Sequence, residues 1–191
     1  VNGDQKAHDA CRRLESLYQI IGNHGKGEPM KINEQVGHGE DGNAVRDGTP
    51  NLAGQDPVYI VDQFSRYGDG RRQDFWMGSL VKNFTEEDKV NLAIFYSEQA
   101  MQPAGGGDIT LIARGKTLYT EHCVECHGVD GRSEQGYARL AGQRPEYTAK
   151  MLREFRSATG KRFSPIMYPR AYMLKTEQDI AAVATYLAHL Q

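Results

Sequence analysis

The chain has 191 residues and a mass of 21.3 kDa, room for one large domain or two small ones. Its 23 Lys+Arg against 25 Asp+Glu leave a formal net charge of -2, which gives no general case for a nucleic-acid partner. No stretch approaches the roughly 20 apolar residues of a membrane span, and three cysteines are too few for a disulfide-built scaffold.

The charge is unevenly divided. Residues 1–107 hold 11 basic and 16 acidic side chains, net -5, whereas residues 108–191 hold 12 and 9, net +3. Such an asymmetry can govern approach to a charged partner. The chain opens at Val1 with no basic-then-apolar leader, and reads as a mature exported form.

In chain order, the first predicted helix holds Cys11 and Leu17-Tyr18. Cys11 is solitary and reads as a buried small side chain; a disulfide to a partner or dimer mate is the alternative in an oxidising compartment. Residues 22–33 follow, rich in helix breakers and carrying His24, Lys26, Met30 and Lys31, as a segment that fills space or forms a docking loop. Next come His38-Gly39-Glu40-Asp41-Gly42, the turn Pro50-Asn51-Leu52-Ala53-Gly54-Gln55, and Pro57 with Tyr59. Gly70 and Met77 precede Thr85, whose hydroxyl with Asp88 three residues on opens another helix. Gln102-Pro103-Ala104-Gly105-Gly106-Gly107 reads as a linker, dividing a domain over 1–103 from one over 104–191.

Beyond the linker the plan repeats. Asp108 caps a helix with apolar positions at Leu111, Ile112, Leu118 and Tyr119, leading directly to Cys123. Ala138-Arg139-Leu140-Ala141-Gly142-Gln143 answers the earlier turn, and Pro145 and Tyr147 answer Pro57 and Tyr59. The helix that Pro145 opens runs through Met151, Leu152 and Phe155. Gly160 and Met167 keep the spacing of Gly70 and Met77, and Thr176 with Asp179 opens a last helix through Ile180, Val183, Ala184 and Leu187. Anchors recurring in one order indicate a duplication, so the predicted fold class is all-α, with two tandem domains of one fold.

The motif that carries chemistry is Cys123-Val124-Glu125-Cys126-His127. Two cysteines two residues apart, followed at once by histidine, suit covalent attachment of a c-type haem: the thiols form thioethers and the imidazole is brought beneath the iron. A zinc site needs further thiols or spaced histidines, and no second thiol pair exists. A thioredoxin-like dithiol needs a strand–helix setting, whereas this motif follows a helix and enters a Gly-rich loop.

A six-coordinate iron needs one more ligand, and Met151, Met167, Met173 and His189 follow the motif. Met167 is preferred, because the prolines of Ser164-Pro165-Ile166-Met167-Tyr168-Pro169 are expected to hold an extended backbone from which the thioether projects. Met151 reads as core of the middle helix, Met173 as packing near the last, and His189 as surface.

With these residues in hand, the second half resembles a class I cytochrome c, and the whole chain resembles the two-domain cytochrome c4 type. Residues 123–131, the Leu140-Ala141-Gly142-Gln143 turn, Met167 and residues 174–186 carry the match. The resemblance implies that Cys123 and Cys126 hold one covalent haem c, with His127 proximal and Met167 distal. It further implies single-electron transfer in the bacterial periplasm, as a shuttle or as the electron-transfer subunit of an oxidoreductase, with no catalysis of its own. The cytochrome subunit of flavin-containing sulfide dehydrogenases is similar, so a flavoprotein redox partner and a homo- or hetero-oligomer are compatible with it.

The first half departs from that pattern. His38 to Gly42 answer His127 to Gly131, but Glu34 and Gly37 stand where the attachment cysteines would be. Met77 still answers Met167. The expected reading is a degenerate domain that has lost its haem; the alternative is a noncovalent haem between His38 and Met77. Two rival functions stay open at this point: a haem enzyme acting on peroxide or a sulfur compound, which requires an open iron, and a mainly structural or docking subunit.

Overall fold

The computed structural model describes residues 37–133, 136–158 and 161–191. The first predicted helix, with Cys11, and the segment over 22–33 lie outside the described residues, as does Glu34.

Among the described residues, three helices build the first lobe. In α1 (Pro57–Gly68), Asp56 accepts from the Tyr59 N–H and Pro57 takes the first helical position, where no intrahelical N–H bond is lost. The second helix, α2 (Phe75–Val81), is capped by Asp74, whose carboxylate accepts from the N–H groups of Trp76 and Met77. A reciprocal capping box of Thr85 and Asp88 starts α3 (Glu86–Glu98), as the sequence predicts. Ile60, Phe64, Val81, Leu92, Ala93 and Tyr96 form the core between them.

The second lobe repeats the plan and adds the motif. Asp108 caps a 3₁₀ turn (Ile109–Leu111) that runs into α4 (Ile112–His122), and the short α5 (Val124–His127) follows. Helix α6 (Pro145–Ser157) begins at its predicted proline, α7 (Met167–Tyr172) is short, and α8 (Glu177–His189) starts from the Thr176/Asp179 capping box. Helix α8 packs across α4 and α6, burying Tyr119, Leu152, Leu174, Ile180, Val183 and Leu187. Gly115 is what allows the α4–α8 approach: a Cβ there would lie 2.1 Å from the Ala182 carbonyl oxygen.

The expected extended backbone around Met167 is not what forms. Met167 opens α7, and Pro169 sits inside it. A proline at the third helical position removes an N–H that has no intrahelical acceptor, so the first turn tolerates it.

The lobes meet about a pseudo-twofold relation that matches the sequence repeat. Gln55 Nε2 donates to the Arg139 carbonyl (3.0 Å) while its Oε1 accepts from the Arg139 N–H (2.6 Å). Gln143 does the same to Asn51, at 3.0 and 2.7 Å. Both glutamines are buried, and each replaces the other lobe's missing backbone partner with a side-chain amide. Arg72 and Arg162, which hold matching places in the repeat, form an isolated antiparallel bridge, and the Gln73 N–H donates to the Lys161 carbonyl at 2.8 Å. Among the described residues this bridge is the nearest thing to sheet structure, so the all-α class holds. The Gln102–Gly107 stretch, read from sequence as a linker, is helix-free and packed: Ala104 N–H donates to the Gly142 carbonyl and Gly105 N–H to the Ala188 carbonyl, each at 3.1 Å.

Candidate functional site

The motif lies at the end of α4, where Cys123 breaks the helix with φ -123° and ψ -31° and α5 carries Cys126 and His127 on. Gly128 then turns the chain at φ +78°, and the Tyr119 hydroxyl, from α4, donates to the Gly128 carbonyl at 2.7 Å. Further along, the Gly131 carbonyl accepts from both Leu140 and Ala141 N–H groups, at 2.8 and 3.2 Å. The first lobe makes the same loop closure: the Gly42 carbonyl accepts from Leu52 and Ala53, at 2.7 and 3.1 Å.

His127 is 7% exposed. Its Nδ1 lies 2.9 Å from the Ala138 carbonyl oxygen, which makes Nδ1 the protonated nitrogen and leaves Nε2 as a lone pair. That Nε2 is buried with no hydrogen-bond partner. Burial holds the imidazole below its ordinary pKa, against the opposing Ala138 bond, so the ring is neutral at pH 7. An orphaned buried acceptor is costly in a protein interior, and a neutral imidazole fixed by a carbonyl on its other nitrogen is the form in which histidine binds metal.

Cys123, Cys126, His127 and Met167 all line one cavity of about 530 Å³. That volume falls within the roughly 300–1,000 Å³ of cofactor sites. Burial pushes the Cys123 thiol up to about 12, with Arg170 opposing, which argues against a reactive thiolate of the dithiol-exchange kind. No group of three or more Cys, His, Asp or Glu among the described residues is arranged to hold a metal ion.

The four candidates for a sixth ligand separate by position. Met167 lines the cavity, its N–H bound to Ser164 Oγ at 3.2 Å. Met151 lines it as well, but its sulfur accepts from Arg162 Nη1 at 2.7 Å. Met173 is 45% exposed, and the exposed His189 pairs with the Gly106 carbonyl at 3.0 Å.

In the first lobe, His38 Nδ1 lies 2.9 Å from the Pro50 carbonyl, matching His127 on Ala138. His38 and Met77 reach the same large cavity and also line a second one of about 300 Å³. The interface residues Arg72 and Arg162 line the large cavity too. No local pattern in the sequence marks them, although they sit inside the repeated Gly70–Met77 and Gly160–Met167 spans.

Residues 112–191 match the Cytochrome c family. Cytochrome c4 from Pseudomonas aeruginosa is 30% identical over 164 residues, covering 80% of this chain and 81% of that protein. Cytochrome c4 from Thiocapsa roseopersicina is 34% identical over 164 residues, covering 80% and 84%. The chain belongs to the cytochrome c4 family. The cytochrome c4 structure from Acidithiobacillus ferrooxidans, described as supporting a complex-induced tuning of electron transfer, superposes with a TM-score of 0.72 at 29% identity, covering 82% of this chain and 98% of that one.

Membership of the cytochrome c4 family implies covalent haem c with iron. The residues present fit that group: a buried imidazole nitrogen without a partner, two thiols and a thioether border the same space.

Proposed function

We propose that this protein carries one covalent haem c, which Cys123 and Cys126 would attach and whose iron His127 and Met167 would ligate, and that it passes single electrons to and from a redox partner protein in the periplasm. The observation that carries the reading is the unpartnered Nε2 of His127 inside the cavity that the cysteines and Met167 line. When bound, the haem supplies a one-electron iron couple.

The chain's own residues do the rest. The Ala138 carbonyl fixes the His127 ring and its tautomer, and the Tyr119–Gly128 bond braces the loop that follows. Arg170 on α7 pairs with Glu125 on α5 at 2.5 Å, tying the helix that begins at Met167 to the attachment motif. A thioether held next to the cavity favours electron transfer over catalysis, because a protein ligand closes the iron to substrate and limits rearrangement between oxidation states.

The first domain, over 1–103, is read as a degenerate partner without covalent haem, and 104–191 as the haem domain. The support is the missing cysteine pair and the helix-free stretch between Glu98 and Ile109. No helix among the described residues is long and apolar enough to cross a membrane, which accords with a partner met in an aqueous compartment.

Visible absorption spectra with and without added cyanide test the function. Slow, weak binding at neutral pH is expected of a capped iron. Rapid, tight binding contradicts the shuttle and favours a haem enzyme.

A further inference from the structure

Two arginines are buried at the lobe interface, Arg72 and Arg162, each 9% exposed. Arg72 donates to Gln63 Oε1 at 2.8 Å and to the Tyr147 hydroxyl at 2.7 Å. Arg162 donates to the hydroxyls of Tyr59 (2.5 Å) and Tyr147 (3.1 Å), to Gln63 Oε1 (3.2 Å) and to Met151 sulfur. Their guanidinium carbons lie 4.4 Å from the Tyr67 ring centroid and 4.9 Å from that of Phe155. Every one of these partners is neutral. Among the described residues no carboxylate forms an ion pair with either arginine; Asp74, which acts electrostatically on neighbouring Tyr67, is committed to capping α2.

Two buried like charges that share Tyr147 and Gln63 as partners are unfavourable without an anion, since burying a charge is costly unless it is paired and hydrogen-bonded. The surroundings register the excess: burial pushes the Tyr147 phenol up, yet the two guanidinium groups overcome it and hold it below its ordinary range. Both arginines line the cavity that His127, Cys123, Cys126 and Met167 also line. A guanidinium is a planar fork of donors matched to carboxylate oxygens, and a haem bears two propionate carboxylates.

We infer that Arg72 and Arg162 form a two-arginine cradle at the lobe interface that takes the propionate carboxylates of the haem held by Cys123 and Cys126. The inference rests on the proposed haem site. It gives the first lobe a role despite its missing cysteines: Arg72 reaches across the interface to supply half the positive charge beside a haem anchored in the other lobe, raising that haem's reduction potential by opposing the charge gained on oxidation.

The test uses the full haem-loaded chain with carboxyl-labelled propionates, read by redox-difference infrared spectroscopy and by potentiometric titration. A pyridine haemochrome assay comes first, so that absence of haem, which defeats the proposed function, is distinguished from failure of the cradle. Arg72→Gln and Arg162→Gln are each expected to shift the labelled carboxylate bands and lower the midpoint potential. Arg72→Lys, which keeps the charge and guards against a folding defect, is expected to restore most of the potential while still shifting the bands. Labelled bands that stay fixed in both Gln variants overturn the inference. So does a wild-type potential that follows added sulfate with fixed bands, which makes the anion a free oxyanion. A phenolate absorption in the wild type that Tyr147→Phe abolishes overturns it as well, because the charge is then balanced within the protein.

Discussion

Replacing Gly115 by alanine separates the local preference of α4 from the global demand of the fold. Within an isolated helix the change is favourable by about 0.8–1.0 kcal/mol, because glycine loses more backbone freedom. Here the added Cβ would stand 2.1 Å from the Ala182 carbonyl oxygen, 2.6 Å from its carbon and 2.7 Å from Tyr186 Cβ. Ordinary carbon contacts begin near about 3.5 Å, so α4 and α8 must part by roughly 1 Å along a contact that buries Tyr119, Ile180 and Val183. Two obstructing atoms are backbone of α8 and cannot rotate away. Overpacking of this kind costs about 1–3 kcal/mol, occasionally more; taking the upper end and subtracting the helix gain leaves about 2 kcal/mol of destabilisation. For a chain of this length that lowers Tm by about 4–8 °C. Thermal unfolding of holoprotein followed by circular dichroism measures it, and a Gly115→Ala variant as stable as wild type or more so refutes the close crossing.

Met167→Ala is expected to keep covalent haem and lose the sulfur-to-iron absorption band; a surviving band removes Met167 from the iron. Met77→Leu is expected to leave haem content and redox titration unchanged at a cost below about 1.5 kcal/mol, and the loss of one titrating component in that variant makes the first lobe a second redox centre. Gln55→Ala strands the part-buried backbone pair of Arg139 and Gln143→Ala the buried pair of Asn51 on the opposite lobe, and each is expected to destabilise by about 1–3 kcal/mol in urea titrations, Gln143→Ala the more; a silent variant at either position argues against the pseudo-twofold interface.

Much of the architecture is local in origin and therefore legible. Both capping boxes, the Pro145 helix start and the helix running into Cys123 are decided by residues within a few positions of one another. The attachment motif is legible for the same reason: thiols and imidazole are contiguous in sequence. What escaped depends on distant partners or on a subtle position effect. Pro169 reads as a helix breaker until it is placed in the first turn of α7, where its missing N–H costs no bond. The glycines of the Gln102–Gly107 stretch read as a linker, but a Cβ at Gly107 would lie 2.3 Å from Thr185 Oγ1, so one of them is there for close packing against α8. Arg72 and Arg162 are separated by 90 positions and look like two surface cations in sequence; only the duplication, folded back on itself, brings them together out of water.

Haem stoichiometry of the purified chain, by intact mass under denaturing conditions together with a pyridine haemochrome assay, tests the central claim most directly. One haem per chain is predicted, all of it retained on denaturation and all of it lost from a Cys123→Ala/Cys126→Ala variant. A second haem released on denaturation, or haem retained without both cysteines, contradicts a single covalent centre at Cys123 and Cys126.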